Sequence, residues 1–307
     1  MFTKQALGLE ISREGLKMVA VRGRRKLPAL NVYSTHDFPD ETVQFSFKEL
    51  NITNPSRFVG AVRETYAKMK SSATRVSLSL PDSVGRVMLI DLETRFKNRQ
   101  EGIDLIRWKL KKGFPVDIEG IYLDYQILRE NESGGILTLV SVITKQVINQ
   151  YEDLLLEAGL EPSHIDFNTF NLYRLFSERL GLSEDAAFIT FYGGIVSITV
   201  FHEGILEFYR AKEIPSAMYE EERMFREISN SLLVYKNNNP GHAFSEVFCS
   251  APMEEMKDFR GIVAEATEME PSRLHAADFV SGGNGVFCDG NTLQSLSPAL
   301  GAAMRNL

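Results

Sequence analysis

The chain has 307 residues, 44% of them hydrophobic and 24% charged, which is enough length and apolar content for two domains with sizeable cores. A net charge of -7 and a pI near 5.4 argue against a nucleic-acid binder, which would present a basic face. No run of uncharged apolar residues approaches the length of a membrane span.

The two cysteines, Cys249 and Cys288, stand far apart, with no CxxC pair and no histidine cluster beside them. Neither a zinc site nor a disulfide framework is expected, and free thiols in a reducing compartment are. The opening Met1-Phe2-Thr3-Lys4-Gln5 leads directly into a strand and lacks the apolar stretch of a signal peptide, so a cytoplasmic protein is expected.

Residues 6–11 alternate around Gly8 and predict a strand. A turn at residues 12–14 leads to a second strand over 16–21. The basic run Arg22, Arg24, Arg25, Lys26 follows, and a third strand runs from 29 to 35. The basic run reads as a solvated hairpin turn, with contact to an acidic partner or a lipid headgroup as the alternative. A helix is expected over 55–69, with Phe58, Val62, Tyr66 and Met69 on one face.

Strands follow at 75–80 and 86–92, then a helix over 100–112 carrying the sole tryptophan, Trp108, and ending at Gly113-Phe114-Pro115. Trp108 reads as local core, or as the wall of a groove for a partner peptide. Strands at 121–128 and 136–142 precede a helix over 145–158 with Val147, Ile148, Tyr151, Leu154 and Leu155 inward, stopped by Gly159. A strand at 163–167 and a helix at 170–180 complete the first half.

The opening plan then recurs. Strands at 187–191, 195–201 and 205–210 are separated by Tyr192-Gly193-Gly194 and His202-Glu203-Gly204, and a helix follows over 219–234. Two meanders of matching size predict an internal duplication in a layered α/β fold. The tail contains a loop-like segment, Ser281-Gly282-Gly283-Asn284-Gly285. A final helix over 297–305 is expected, opened by Pro298 behind a serine cap.

Several segments resemble one family in order. Gly8-Leu9-Glu10-Ile11-Ser12 with Leu16-Lys17-Met18-Val19 resembles the opening of PilM proteins, cytoplasmic components of type IV pilus assembly. Ile106-Arg107-Trp108-Lys109 with Gly113-Phe114-Pro115 resembles the family's helix ending in an aromatic-Pro pair. Leu123-Asp124-Tyr125-Gln126-Ile127 resembles its Asp-Tyr strand. Residues 151–160 with Pro162 and Ile165-Asp166, Glu227-Ile228 with Ser231-Leu232 and Tyr235, and residues 299–305 match further stretches. The GspL and MshI cytoplasmic domains and FtsA share the architecture. The resemblance implies two actin-like (ribonuclease H-like) domains of α/β class with a small α+β subdomain inserted in the first half. The expected boundaries are 1–83 plus 163–183, 84–162 and 184–307.

Actin-like enzymes hold ATP with backbone N–H groups in the turn after each half's first strand, an aspartate before each turn, and a Gly-Gly near the adenosine. Here those places hold Glu10 and Ser12, then Phe191, then Cys249-Ser250-Ala251-Pro252. Phe191 cannot hold a metal and Pro252 lacks a donor. No ATPase activity and no cofactor are expected; ATP with magnesium is the alternative. A residual nucleotide cleft would use Glu10, Ser12, Lys17, Gly193 and Gly194, although the two glycines also fit a plain hairpin turn.

The five histidines lie in no nucleophile motif and read as satisfied side chains. Glu220-Glu221-Glu222 opens a helix, where carboxylates favour the dipole. Asp117, Glu119 and Asp124 read as solvated.

The resemblance implies a scaffold that binds the cytoplasmic N-terminal tail of a PilN-like inner-membrane protein, in a groove between the first domain and its insert. The expected wall residues are Tyr151, Leu155, Ile165, Phe167 and Phe170. The protein is expected at the inner-membrane face, in a type IV pilus or type II secretion-like machine. An ATP-binding switch and an actin-fold kinase are the alternatives.

Overall fold

Alternating apolar residues form β1 (Ala6–Ile11), β2 (Gly15–Arg24) and β3 (Leu27–Asp37), an antiparallel meander. Asn54 caps α1 (Pro55–Lys68) by accepting from Arg57 N, and Pro55 sits in the first turn, where its missing N–H costs nothing. β4 (Arg75–Leu80) then pairs parallel to β1. This computed structural model describes residues 5–24, 27–39, 41–131, 134–215, 220–283 and 288–307. Arg25, Lys26, residues 1–4, Tyr219, Asn284 and Gly285 lie outside the described residues.

The insert follows β4. β5 (Arg86–Leu92), α2 (Arg99–Leu110), β6 (Ile121–Glu130) and β7 (Ile136–Thr144) make a three-stranded antiparallel sheet in the order β5-β7-β6, with α2 on one face. α3 (Lys145–Glu157) ends in a Schellman motif: Gly159 at φ +88° donates to Leu156 O, and Leu160 N donates to Leu155 O. β8 (Glu161–Phe167) pairs parallel to β4, and α4 (Asn168–Leu180) leads out of the first half.

The second half repeats the order. β9 (Ala186–Tyr192), β10 (Ile195–His202) and β11 (Ile205–Glu213) form a meander, followed by α5 (Glu220–Asn238). β12 (Glu246–Ser250) pairs parallel to β9, α6 (Met253–Thr267) follows, and β13 (Ser272–Arg273) pairs parallel to β12. β14 (Ser281–Gly282) crosses back to pair with β3, and α7 (Gly290–Ser295) and α8 (Ser297–Ala303) complete the described elements. The two large sheets run β14-β3-β2-β1-β4-β8 and β11-β10-β9-β12-β13. Apart from β14, the two orders are one pattern used twice, the duplication seen in the sequence.

Each of the two large sheets is covered on both faces, which is why β1 and β9 are buried along their whole length rather than on alternate residues. α1 and α3 cover the first sheet through Phe58, Val62, Val147 and Tyr151. α5 and α6 cover the second through Ile228, Leu232, Phe259 and Val263. Between the sheets, α4 and α8 share one apolar layer, with Leu172 and Phe176 meeting Ala299 and Leu300. Glycine makes that layer possible. A Cβ on Gly8 would lie 2.0 Å from Ala299 O, and one on Gly301 would lie 1.9 Å from Asn171 O.

Four expectations need correction. α3 was expected within the insert, yet it packs beside α1 in the first sheet's core. Trp108 is not the insert's core: it is 73% exposed, and Ile106, Ile121, Val140 and Val142 fill that place. Ser281 and Gly282 are a strand edge rather than a loop, and Gly283 N donates to Leu30 O. Ser297 does not cap α8; its hydroxyl donates backwards to Gln294 O.

Candidate functional site

β6 has a strand partner on one side only, β7. Residues 124–128 of β6 line a cavity of about 690 Å³. Leu139 and Ser141 of β7 extend this wall. The opposite wall is α4, through Thr169, Phe170, Tyr173 and Ser177, and the β10–β11 hairpin closes it with Phe201, Ile205 and Leu206. The aromatic side chains are held flat by stacking: Phe170 on Tyr209 at 5.6 Å and Tyr173 on Phe201 at 5.3 Å between ring centres. Arg174 pairs with Asp166 at 3.0 Å, Arg99 pairs with Asp124, and Arg305 adds a third guanidinium to the lining. The groove therefore mixes apolar and polar side chains, carries three arginines in its lining, and has the β6 strand edge along one side among the described residues.

Asp82 anchors the start of α4. Its carboxylate accepts from Thr169 N at 3.3 Å and from the Tyr209 hydroxyl at 2.7 Å, which joins α4 to β11 across the halves. Asp82 is only 7% exposed, and burial pushes its carboxyl up to about 6 despite the hydrogen bonds from Tyr209 and Thr169. On neighbouring β8, His164 Nδ1 is buried without a partner among the described residues. Burial and the guanidinium groups of Arg305, Arg174 and Arg75 hold its imidazole below the usual range.

Of the residues expected in this groove, Phe170 lines it. Ile165 packs partly buried against the first core, and Phe167 is buried with its ring over Gly85. Tyr151 and Leu155 are both 0% exposed, because the inward face of α3 meets the first sheet, so neither can touch a partner. Tyr173 ends the stretch from Ile165 expected as a wall and does line the groove, Ile127 entered only as part of the Asp-Tyr strand, and Phe201 and Leu139 were not singled out in the sequence. Phe170 and Tyr173 stand three apart on one helix face, which was the available signal.

The cleft between the halves gathers the other expected residues. Ser12 N donates to Gly15 O at 2.8 Å, and Gly193 and Gly194, at φ +58° and +73°, form a two-residue hairpin turn of type I′. Arg13 pairs with Glu213, which lies opposite Ile195, so the two turns face one cleft. Lys17 Nζ donates to Ser295 O at 3.0 Å and lies 3.9 Å from Glu10 Oε2. Glu10 Oε2 is buried with no hydrogen-bond partner among the described residues. Burial raises its carboxyl's pKa, with Lys17 opposing. Phe191 is buried and stacks on Phe259 at 5.9 Å. Beside it, a cavity of about 550 Å³ is lined by five carboxylates: Glu220, Glu221, Glu222, Glu254 and Asp258. Gln294 is fully buried nearby, donating to Tyr192 Oη and Ser250 Oγ and accepting from Ala276 N.

These residues fit Mg-ATP poorly. The lysine is committed to a main-chain carbonyl, the second aspartate position is the buried Phe191, and the turn from β12 to α6 is Ala251-Pro252, which offers one N–H where a Gly-Gly offers two.

The sequence profile of the family described as type IV pilus assembly protein PilM matches residues 8–212. This chain belongs to the PilM family. Its fold superimposes on a structure described as a PilM-PilN type IV pilus biogenesis complex with a TM-score of 0.83 at 17% identity, covering 99% of each chain. The cytoplasmic domain of EpsL, an inner-membrane component of the type II secretion system of Vibrio cholerae, matches at TM-score 0.53 and 9% identity, over 95% of this chain and 93% of that one. A Bacteroides thetaiotaomicron protein with an actin-like ATPase fold matches at 0.52 and 14%, over 96% and 95%. A search of curated proteins finds no relative. PilM-family membership and the repeated sheet order place the chain among duplicated actin-like α/β proteins of type IV pilus assembly.

Proposed function

We propose that this PilM-family protein is an assembly scaffold that holds the extended N-terminal tail of a PilN-like inner-membrane protein in the groove beside β6. The free β6 edge carries the reading. An unpaired strand edge offers N–H and C=O groups that an extended peptide satisfies, and the flanking apolar pockets take alternate side chains. Phe170, Tyr173 and Phe201 supply rigid anchoring surfaces on the facing wall. No helix among the described residues is long and apolar enough to cross a membrane, so in this reading the membrane is reached through the partner.

The test is a titration of a fluorescent peptide from the cognate partner's N-terminus. Ile127→Asp, at a position 39% exposed, and Tyr173→Ala are each expected to weaken binding at least tenfold, or about 1.4 kcal/mol. Unchanged affinity in both variants would remove the groove from consideration.

In the same proposal the scaffold works without nucleotide turnover. Phe191 in place of an aspartate and the acidic cavity beside it support this. Titration with Mg-ATP in a calorimeter is expected to give no heat. Micromolar binding, about -8 kcal/mol, would replace this reading with a nucleotide-gated one.

A further inference from the structure

Trp108 stands at the C-terminal end of α2 with most of its indole in solvent. Lys111, three residues on, caps the helix in helical conformation on the same face, and Lys112 follows in the turn. From Leu105 to Val116 the sequence holds Arg107, Lys109, Lys111 and Lys112 and no acidic residue, within a chain of net charge -7. Among the described residues none of these four cations forms an ion pair, and Lys109 is tied only to the main-chain oxygen of Asp91. Asp104, one turn before Trp108, is engaged by Gln100 Nε2. Gly113, at φ +92°, turns the chain sharply after the helix, and Phe114 packs back into the insert core. The patch is thus a helix end with one large exposed indole among basic side chains.

We infer that this end of α2 docks on an anionic bilayer surface. Indole prefers the headgroup layer, where its ring is partly dehydrated and its N–H still finds a partner. Lysines keep their ammonium groups among lipid phosphates while their stems lie along the acyl boundary. One exposed indole among four cations matches the two layers of an anionic bilayer surface, phosphate outside and acyl boundary beneath. The chain's net negative charge is repelled by the same surface, which favours an orientation that presents a basic patch such as this one. The inference does not rest on the groove beside β6: it needs no partner protein.

The chain contains a single tryptophan, so its fluorescence reports on position 108 alone. Full-length protein is mixed with vesicles containing phosphatidylglycerol, and separately with vesicles of phosphatidylcholine alone. The expected result is a blue shift and co-sedimentation with the anionic vesicles only, reversed by high salt. Lys111→Gln together with Lys112→Gln, both at exposed positions, is expected to lower vesicle partition roughly 30-fold while the far-ultraviolet circular dichroism is unchanged. No spectral shift with anionic vesicles, or partition indifferent to the lysine pair, overturns the inference. A shift produced by polyglutamate and not by vesicles overturns it too, and assigns the patch to an acidic protein.

Discussion

Asp82 shows how one side chain can hold two halves together and tie their stability to pH. Its carboxyl titrates near 3.8 when exposed and near 6 in the folded chain. Between those values the folded state binds more protons than the unfolded chain, so stability falls as pH rises through the window. The loss from this group approaches about 3 kcal/mol once the pH passes 6. Urea melts at about pH 4 and about pH 7 are expected to show this fall in the wild type and a smaller fall in Asp82→Asn, which keeps an acceptor for Tyr209 and Thr169. Equal pH dependence in both proteins would exclude Asp82 as its source. Nothing in the order of residues signals this contact, because Asp82 and Tyr209 are brought together only by the packing of two halves. Trp108 failed the other way: an aromatic's bulk suggested burial, and only the packed insert reveals that Ile106 takes the inward position instead. Tyr151 and Leu155 were correctly read as facing inward, but what they face is the first sheet.

At the scale of elements, the two meanders were legible because alternation, glycine turns and spacing all agree. β12 and α6 were not read, though Phe259, Ile262, Val263 and Ala266 have helical spacing and pack on the second sheet. β14 could not have been read: two residues carry no period, and its pairing with β3 is decided by register across the whole chain. The wedge of α8 between β1 and α4 gives a sharp contrast among glycines. Gly301→Ala, with a Cβ 1.9 Å from a main-chain oxygen, is expected to cost 2–3 kcal/mol or more, roughly the upper range for overpacking. Gly60→Ala, on α1 with nothing within 4 Å of the new carbon, is expected to stabilise by about 0.5–1 kcal/mol. Thermal melts of the two variants should move in opposite directions.

At the scale of the molecule, one apolar layer serves both sheets, so neither half has a complete core of its own. Arg13 with Glu213, Asp82 with Tyr209, and Arg129 with Glu207 add polar ties from the first half and its insert to the second. Equilibrium unfolding is expected to be one cooperative transition, with the near-ultraviolet signal of buried tyrosines such as Tyr151 and Tyr235 and the far-ultraviolet signal of the whole chain falling together. Two separated transitions would mean that the insert or one half melts alone. The groove beside β6 depends on this unity. Its walls come from the insert, from α4 and from the β10–β11 hairpin, which no local stretch of sequence could announce.

α8 follows every strand of both sheets in the chain, yet it fills the slot between them. During translation the sheets therefore emerge before the helix that joins them. Val19, Phe176 and Phe188 must wait, apolar and uncovered, until residues 297–303 clear the ribosome. A nascent chain in that state is a client for chaperones, and its maturation waits on the synthesis of α8 rather than on the formation of its first half.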